Sequence, residues 1–194
     1  DSYIQMAKEK GMSAEELLSE EAEKLPAGSD GLMTVLDWLA PVDARYKKGI
    51  MIGFDGRHTR GHIYRSILEA VAMTIKGHTE DMVNEVGVTL DKIIITGGGS
   101  NSDLFMQIFA DVFNLPAVRN VVNGAAGLGS AICAAVATGV YGSFEEAVEG
   151  MVKIQDTFVP NPENVELYQK MIPIYKDITV HTDEVLKKTY ELFD

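Results

Sequence analysis

The sequence predicts an α/β fold, and three observations carry that prediction. Two short apolar runs, Gly49-Ile50-Met51-Ile52-Gly53-Phe54 and Ile93-Ile94-Ile95-Thr96 ahead of Gly97, are bounded by glycine and read as strands. Between and after them, apolar residues recur three and four apart, the period of a helix with one buried face. Capping signals mark where those periodic segments begin. Strands followed by helices build layered sheets.

Taken in order, residues 2–9 and 14–25 read as helices; Ser13 with Glu16 forms a capping box, and Pro26-Ala27-Gly28 stops the second. Residues 31–39 form an apolar piece carrying the single tryptophan, Trp38. The 49–54 run follows as a buried strand. The longest helix then covers about 59–86, its stripe being Ile63, Ile67, Val71 and Ile75, widened by Leu68 and Ala72. After a second buried strand at 93–96, a helix over 101–113 places Leu104, Ile108 and Val112 on one face. A short extended piece at 116–118 leads to a small-residue helix over 124–139, and Ser143 with Glu146 caps another to about Lys153. Asn161 as N-cap and Pro162 in the first turn open a long amphipathic helix toward the C-terminus. Only two or three strands are legible. That is few for a complete sheet, and it points to a sheet whose other strands lie outside the chain.

Composition narrows the partners. A chain of 194 residues has room for one ordinary domain, and 46% hydrophobic content excludes disorder. The net charge of −12 argues against nucleic acid and against anionic membrane. Residues 43–65 run the other way: Arg45, Lys47, Lys48, Arg57, Arg60 and Arg65 face only Asp43 and Asp55, a positive field suited to a small anion or a solvated basic loop. Cys133, the lone cysteine, sits in an apolar run and reads as a buried small hydrophobe in a reducing compartment. No secretory signal opens the chain, and the 125–137 stretch is too short to span a bilayer, so a soluble cytoplasmic protein is expected.

The most informative motif is Gly97-Gly98-Gly99-Ser100-Asn101-Ser102, where a strand delivers three glycines to the start of a helix. Glycine lets backbone amides approach an anion or a flat base, and a helix N-terminus adds unpaired N–H groups. A nucleotide cradle and a plain strand-to-helix turn both fit; neither a Walker loop nor a Gly-x-Gly-x-x-Gly fingerprint is present. Gly124, Gly127 and Gly129 are read as close helix packing rather than a dinucleotide loop. His58 and His62 lie four apart, yet no third ligand is spaced to complete a zinc site.

Together these pieces resemble the C-terminal domain of the FGGY family of carbohydrate kinases. Gly49-x-Met51-x-Gly53-Phe54, then His62-Ile63-x-x-Ser66-Ile67-Leu68-Glu69 after seven residues, is similar to the family signature, with Phe54 where an aliphatic residue is usual. Gly97 to Ser100 through Leu104, Gln107, Ala110 and Asp111 to Leu115-Pro116 resembles its adenosine-binding segment. Gly124-Ala125-Ala126-Gly127 with Gly139-Val140-Tyr141 resembles the helix linking the lobes, and Pro160-x-Pro162 with Tyr168 and Tyr175 the tail. The resemblance runs from about Asp30 to Tyr175.

It implies an actin-like ATPase (ribonuclease H-like) C-terminal lobe, truncated on its N-terminal side. One nucleotide-binding domain would fill 1–194, with a core at about 30–155 and a helical tail at about 160–194. The parent would be an ATP-dependent carbohydrate kinase using Mg2+, phosphorylating a sugar hydroxyl, with a pentulose such as xylulose leading. By position, Gly98 and Gly99 would pack on the adenosine of ATP or ADP, Ser102 would lie near the base, Gly97 would shape the turn, and Arg57 or His58 would sit beside the nucleotide. The resemblance places the catalytic base and most sugar contacts in an absent N-terminal lobe, so no catalytic or metal-binding residue is assigned and the chain alone is expected to be inactive. A non-catalytic actin-like module that binds nucleotide or partner is the alternative. The C-terminal helix could pair two copies as a homodimer, but packing on its own lobe is the plainer reading.

Overall fold

The computed structural model describes residues 2–193. Helices α1 (Ser2–Glu9) and α2 (Ala14–Glu23) open the chain, and the Ser13–Glu16 capping box forms in both directions. A tight turn leads to β1 (Met33–Val35), which pairs antiparallel with β2 (Ile50–Ile52). Helix α3 (Arg60–Val86) follows, capped by Thr59 and stopped by left-handed Gly87. A second sheet holds β3 (Ile93–Ile95), β4 (Ala117–Asn120) and β5 (Ile154–Phe158); β3 and β4 are parallel, and β5 returns antiparallel with an irregularity at Arg119/Asn120. Helices α4 (Asp103–Phe113), α5 (Ala125–Ala137), α6 (Phe144–Met151) and α7 (Pro162–Phe193) complete the chain.

Helix α4 is the centre of the core. Its sequence, DLFMQIFADVF, is apolar nearly all round, and Leu104, Ile108 and Val112 are buried as the periodicity requires. Phe105, Phe109 and Phe113 stack along it with ring centroids 4.7 and 5.8 Å apart. Ala70 and Met73 of α3 and Tyr168, Met171 and Tyr175 of α7 join the same cluster. Asp111, buried within it, accepts hydrogen bonds from Gln107 Nε2, Asn161 N–H and Asn164 Nδ2, fixing the start of α7 against α4. Gln107 and Asp111 thus organise the packing of α4 against the start of α7.

Several expectations are corrected. The buried face of α3 is only partly the predicted stripe: Ile63, Ile67 and Val71 are half-buried and Ala72 fully buried, but Ile75 is 42% exposed, and His62, Arg65, Ser66, Glu69, Ala70 and Met73 make up most of the inward face. Hydrophobicity alone missed most of the face because its polar members are paired inside. Strands β2 and β3 are only partly covered, with Ile52, Phe54 and Ile94 all exposed. Strand β5 went unread, because Gln155, Asp156 and Thr157 mask its pattern.

The small-residue helix α5 packs chiefly against α6, and Ile132 is its one buried residue. Among the described residues, nothing covers its Ala/Gly face. Cys133 is therefore exposed rather than a buried hydrophobe. In the folded chain it should react with a maleimide as fast as in the urea-unfolded chain. Protection that persists until unfolding would contradict the exposure.

The first half of α7 packs on its own lobe. Its far half rests on the loop between β1 and β2, where Lys187 lies 4.8 Å from the Tyr46 ring and Lys48 lies 5.5 Å from the Tyr190 ring. No helix among the described residues is long and apolar enough to cross a membrane.

Candidate functional site

Strand β3 runs into Gly97, whose φ of 85° and ψ of −173° belong to a region open to glycine alone. Its N–H donates to Asn123 O at 2.8 Å, tying the turn to the segment after β4. Ser100 donates from both N–H and Oγ to Gly97 O, at 3.1 and 2.7 Å. Ser102 caps α4, its Oγ accepting from Phe105 N–H at 3.3 Å. Asn123 Nδ2 donates to Asn101 Oδ1 at 2.7 Å.

Gly98 and Gly99, which follow in the turn, differ. A Cβ on Gly99 would come within 2.8 Å of the Phe105 ring, so close packing requires glycine there. A Cβ on Gly98 would meet nothing within 4 Å. Gly98 presents bare backbone to open space.

That space is a cleft of about 860 Å³. Gly98, Gly99 and Asn101 to Phe105 form one wall, Tyr64 and Leu68 of α3 a second, and α2 with the turn before it the third. Gly98, Gly99 and Ser102 are thus brought together, while Gly97 shapes the turn without lining the cleft.

Arg57 is not brought there. It lies in the loop before α3, and its guanidinium bonds Asp55 Oδ2 at 3.0 and 2.7 Å. That hydrogen bond, reinforced by the Arg57 backbone, holds the Asp55 carboxyl at about 2. The positive field expected of 43–65 is dispersed in the same way: Arg60 pairs with Glu21 at 2.7 Å, and Arg65 with Glu69 at 2.9 Å. The cleft itself carries Glu15, Glu16, Glu20, Glu23 and Asp103 against Lys10. Such a wall suits an uncharged ring system and disfavours a triphosphate.

Two positioning groups escaped the sequence reading. Arg119, from β4, donates through Nη1 to Ser100 O and Asp103 Oδ1, each at 2.9 Å, and through Nε to Asp156 Oδ2 at 2.9 Å; its Nη2 bonds the same carboxylate. It clamps the glycine turn to the sheet. The available signal was a lone basic residue following two apolar ones in a strand. The α1–α2 wall bears no ligand-binding motif, only the Ser13–Glu16 cap, and topology alone brings it opposite Gly98.

On α3, next to Leu68 in the chain, Glu69 is 1% exposed. Its Oε1 accepts from Gly28 N–H at 2.8 Å, Arg65 Nε at 2.9 Å and the Tyr168 hydroxyl at 2.9 Å, and its Oε2 from Ser29 Oγ at 2.9 Å. These bonds hold a turn in which Gly28, Ser29, Asp30 and Gly31 all have positive φ. Ser29 and Asp30 pay a steric penalty there that Glu69 helps to offset.

Burial, and then the Glu69 charge, push the Tyr168 phenol far above its ordinary value. Folding therefore keeps that proton longer than the unfolded chain does. Its share of stability is complete below about pH 10 and is lost as pH rises beyond. Tyr168→Phe should flatten the alkaline limb of a stability–pH curve measured by urea unfolding. An unchanged limb would place the alkaline sensitivity elsewhere.

Comparison with known proteins converges on one family. The model for the C-terminal domain of the FGGY family of carbohydrate kinases matches residues 4–138, which takes in α1 and α2 and the motifs as far as Gly127. The chain is 53% identical over 193 residues to the "uncharacterized sugar kinase YgcE" of Escherichia coli (strain K12), covering 99% of this chain and 39% of that protein. It is 30% identical over 173 residues to the xylulose kinase of Bacillus subtilis (strain 168), covering 88% and 34%. The crystal structure of xylulose kinase from Rhodospirillum rubrum matches with a TM-score of 0.76 at 26% identity, over 90% of this chain and 35% of that one. The chain spans about two-fifths or less of the length of these relatives.

Proposed function

The chain belongs to the FGGY family of carbohydrate kinases, as its C-terminal domain, and from that membership we propose that it is the ATP-binding lobe of a sugar kinase. Its fold is that of the actin-like ATPases, in the form found in solved sugar kinases. The whole kinase would transfer the γ-phosphoryl group of ATP to a sugar hydroxyl, a pentulose such as xylulose being the first acceptor to test.

The observation that carries the reading is the bare backbone of Gly98 at the head of α4, facing the walled cleft. Adenosine fits the residues there: Gly98 leaves room for a flat ring, Phe105 and Leu68 offer apolar contact, and Asn101 and Ser102 offer polar groups. The acidic α2 wall directs the phosphates out of the cleft, toward whatever faces its mouth in the whole kinase. Among the described residues no group of three His, Cys, Asp or Glu side chains could hold a metal ion, so these residues do not build a Mg2+ cage. Mg2+ enters the proposal only with the phosphates of ATP.

Phosphoryl transfer depends on positioning and charge stabilisation in a closed cleft. This lobe would supply the adenosine grip alone, and the chain alone is expected to turn over no sugar. Titrating the labelled chain with ADP or ATP should move the amides of Gly97 to Ser102 in NMR spectra. Their silence at millimolar nucleotide would overturn the adenosine assignment. Nucleotide binding by a whole protein that phosphorylates no pentulose, hexulose or polyol would favour the non-catalytic module instead.

A further inference from the structure

Asn123 and Gly124 lie between β4 and α5, and Asn123 also holds the glycine turn. Its carbonyl accepts Gly97 N–H at 2.8 Å, and its Nδ2 donates to Asn101 Oδ1 at 2.7 Å. Asn123 is half-buried. Gly124 is exposed, and a Cβ there would meet nothing within 4 Å. Among the described residues the Gly124 N–H donates to no acceptor, and no side chain caps the start of α5.

That free amide sets Asn123 apart. Asparagine is a thermolabile residue because the backbone nitrogen of the next residue can attack its side-chain carbonyl. The attack requires that N–H to lose its proton and the chain to fold closely on itself. A hydrogen bond on the N–H opposes both, and a Cβ on the second residue obstructs the approach. The sequence holds seven asparagines, and six are protected. Glu85 N–H lies inside α3. Ser102 N–H donates to Gly99 O at 3.1 Å, Leu115 N–H to Ala110 O at 3.3 Å, Val121 N–H to Lys153 O at 2.9 Å and Val165 N–H to Asn161 O at 2.9 Å. Asn161 precedes Pro162, which has no N–H. Asn123 alone precedes glycine, and one exposed hydrogen bond restrains its side chain.

We propose that Asn123 is a site of spontaneous deamidation that uncouples the glycine turn from α5. The deprotonated Gly124 nitrogen attacks Asn123 Cγ. A C–N bond forms and closes a succinimide ring, the Cγ–Nδ2 bond breaks, and the side-chain nitrogen leaves as ammonia. Water then opens the ring at either carbonyl. One water is consumed and one ammonia released, with no oxidation or reduction. Opening at Cγ gives aspartate in the ordinary chain. Asn101 can turn its amide over and donate to that carboxylate, so the turn survives. Opening at the backbone carbonyl gives isoaspartate. The chain to Gly124 then runs through Cβ and Cγ, one atom longer, and the oxygen that accepts Gly97 N–H belongs to a free carboxylate. The turn no longer fixes the start of α5. This chemistry needs only water, and it stands whether or not the cleft holds adenosine.

The test ages the isotope-labelled chain, without nucleotide, in warm and mildly alkaline buffer. Peptide mass spectrometry reads the gain of one mass unit at each asparagine, and an isoaspartate-specific methyltransferase reads the second product. The folded chain should react at Asn123 within roughly tenfold of its rate in urea, the factor corresponding to one net hydrogen bond. Asn101, whose neighbour keeps its N–H bonded, should react at least roughly tenfold more slowly than Asn123. Amide signals of Gly97, Ser100 and Ala125 should shift in step with the isoaspartate content of the same samples. Asn123→Asp should move those signals far less than isoaspartate does. Gly124→Ala has room for its Cβ and should slow the reaction at least roughly tenfold. Protection of Asn123 by more than roughly a hundredfold over urea, about two such hydrogen bonds, would overturn the proposal. So would isoaspartate at Asn123 with the Gly97 and Ala125 signals unmoved. Aged wild type alone decides it if a variant does not fold.

Discussion

Glu69→Ala should cost about 3–5 kcal/mol, the loss expected when one partner of a buried ion pair is removed. Four donors converge on this carboxylate from three parts of the chain: Gly28 and Ser29 before β1, Arg65 one turn earlier on α3, and Tyr168 on α7. Truncation leaves a guanidinium whose side chain is only 7% exposed without a counter-charge. It also orphans a buried amide and two hydroxyls. Against a total stability of ~5–15 kcal/mol for a domain, that approaches unfolding. Urea unfolding followed by far-ultraviolet circular dichroism measures the loss. Glu69→Gln keeps the volume and some acceptor capacity, so it should fall between wild type and alanine. An alanine variant within about 1 kcal/mol of wild type, no more than a single ordinary hydrogen bond, would show that Glu69 does not hold the turn.

Gly98→Leu should block nucleotide without weakening the fold. The new side chain points into open space, so the thermal midpoint should stay within about 2 °C of wild type, less than a 1 kcal/mol change produces in a chain of this size. The same side chain occupies the volume assigned to adenosine. Amide shifts induced by ADP in wild type should then disappear or need at least roughly tenfold more ligand, a change of about 1.4 kcal/mol. Gly97→Ala separates shape from occupancy. At φ 85° and ψ −173°, alanine strains the backbone by about 1–3 kcal/mol, so this variant loses stability and ligand response together. Unchanged ADP shifts in Gly98→Leu would move the adenosine site away from the glycine turn.

Caps and turns were legible because their physics is local. The Ser13–Glu16 box, the Ser143 cap and Asn161 ahead of Pro162 each involve groups two or three residues apart, and all appear where the residues placed them. The family, too, was legible, because its motifs are short and occur in a fixed order. Gly98, Gly99 and Ser102 gather on one cleft for the same reason, being consecutive around a single turn.

Partnerships across the chain were not legible. Glu69 meets Gly28 at a separation of 41 residues and Tyr168 at 99, and no pattern in either neighbourhood announces the other. Arg119 reaches back 19 residues to Ser100 and forward 37 to Asp156. The inward polar face of α3 inverts the rule that apolar residues mark the core. The rule assumes unpaired polar groups, and here tertiary partners satisfy them. The charge of 43–65 was counted correctly and its use left open between an anion and a solvated loop; Arg57, Arg60 and Arg65 each found a carboxylate, and the cleft came out acidic.

By itself, then, the sequence determined the α/β class, the helix ends, the family and the glycine turn, since each rests on groups within a few residues of one another. Only the tertiary structure decided which face of α3 is buried, which helices wall the cleft and that Cys133 lies open. Those outcomes depend on which distant groups satisfy one another's charges and hydrogen bonds, and folding alone brings such groups together.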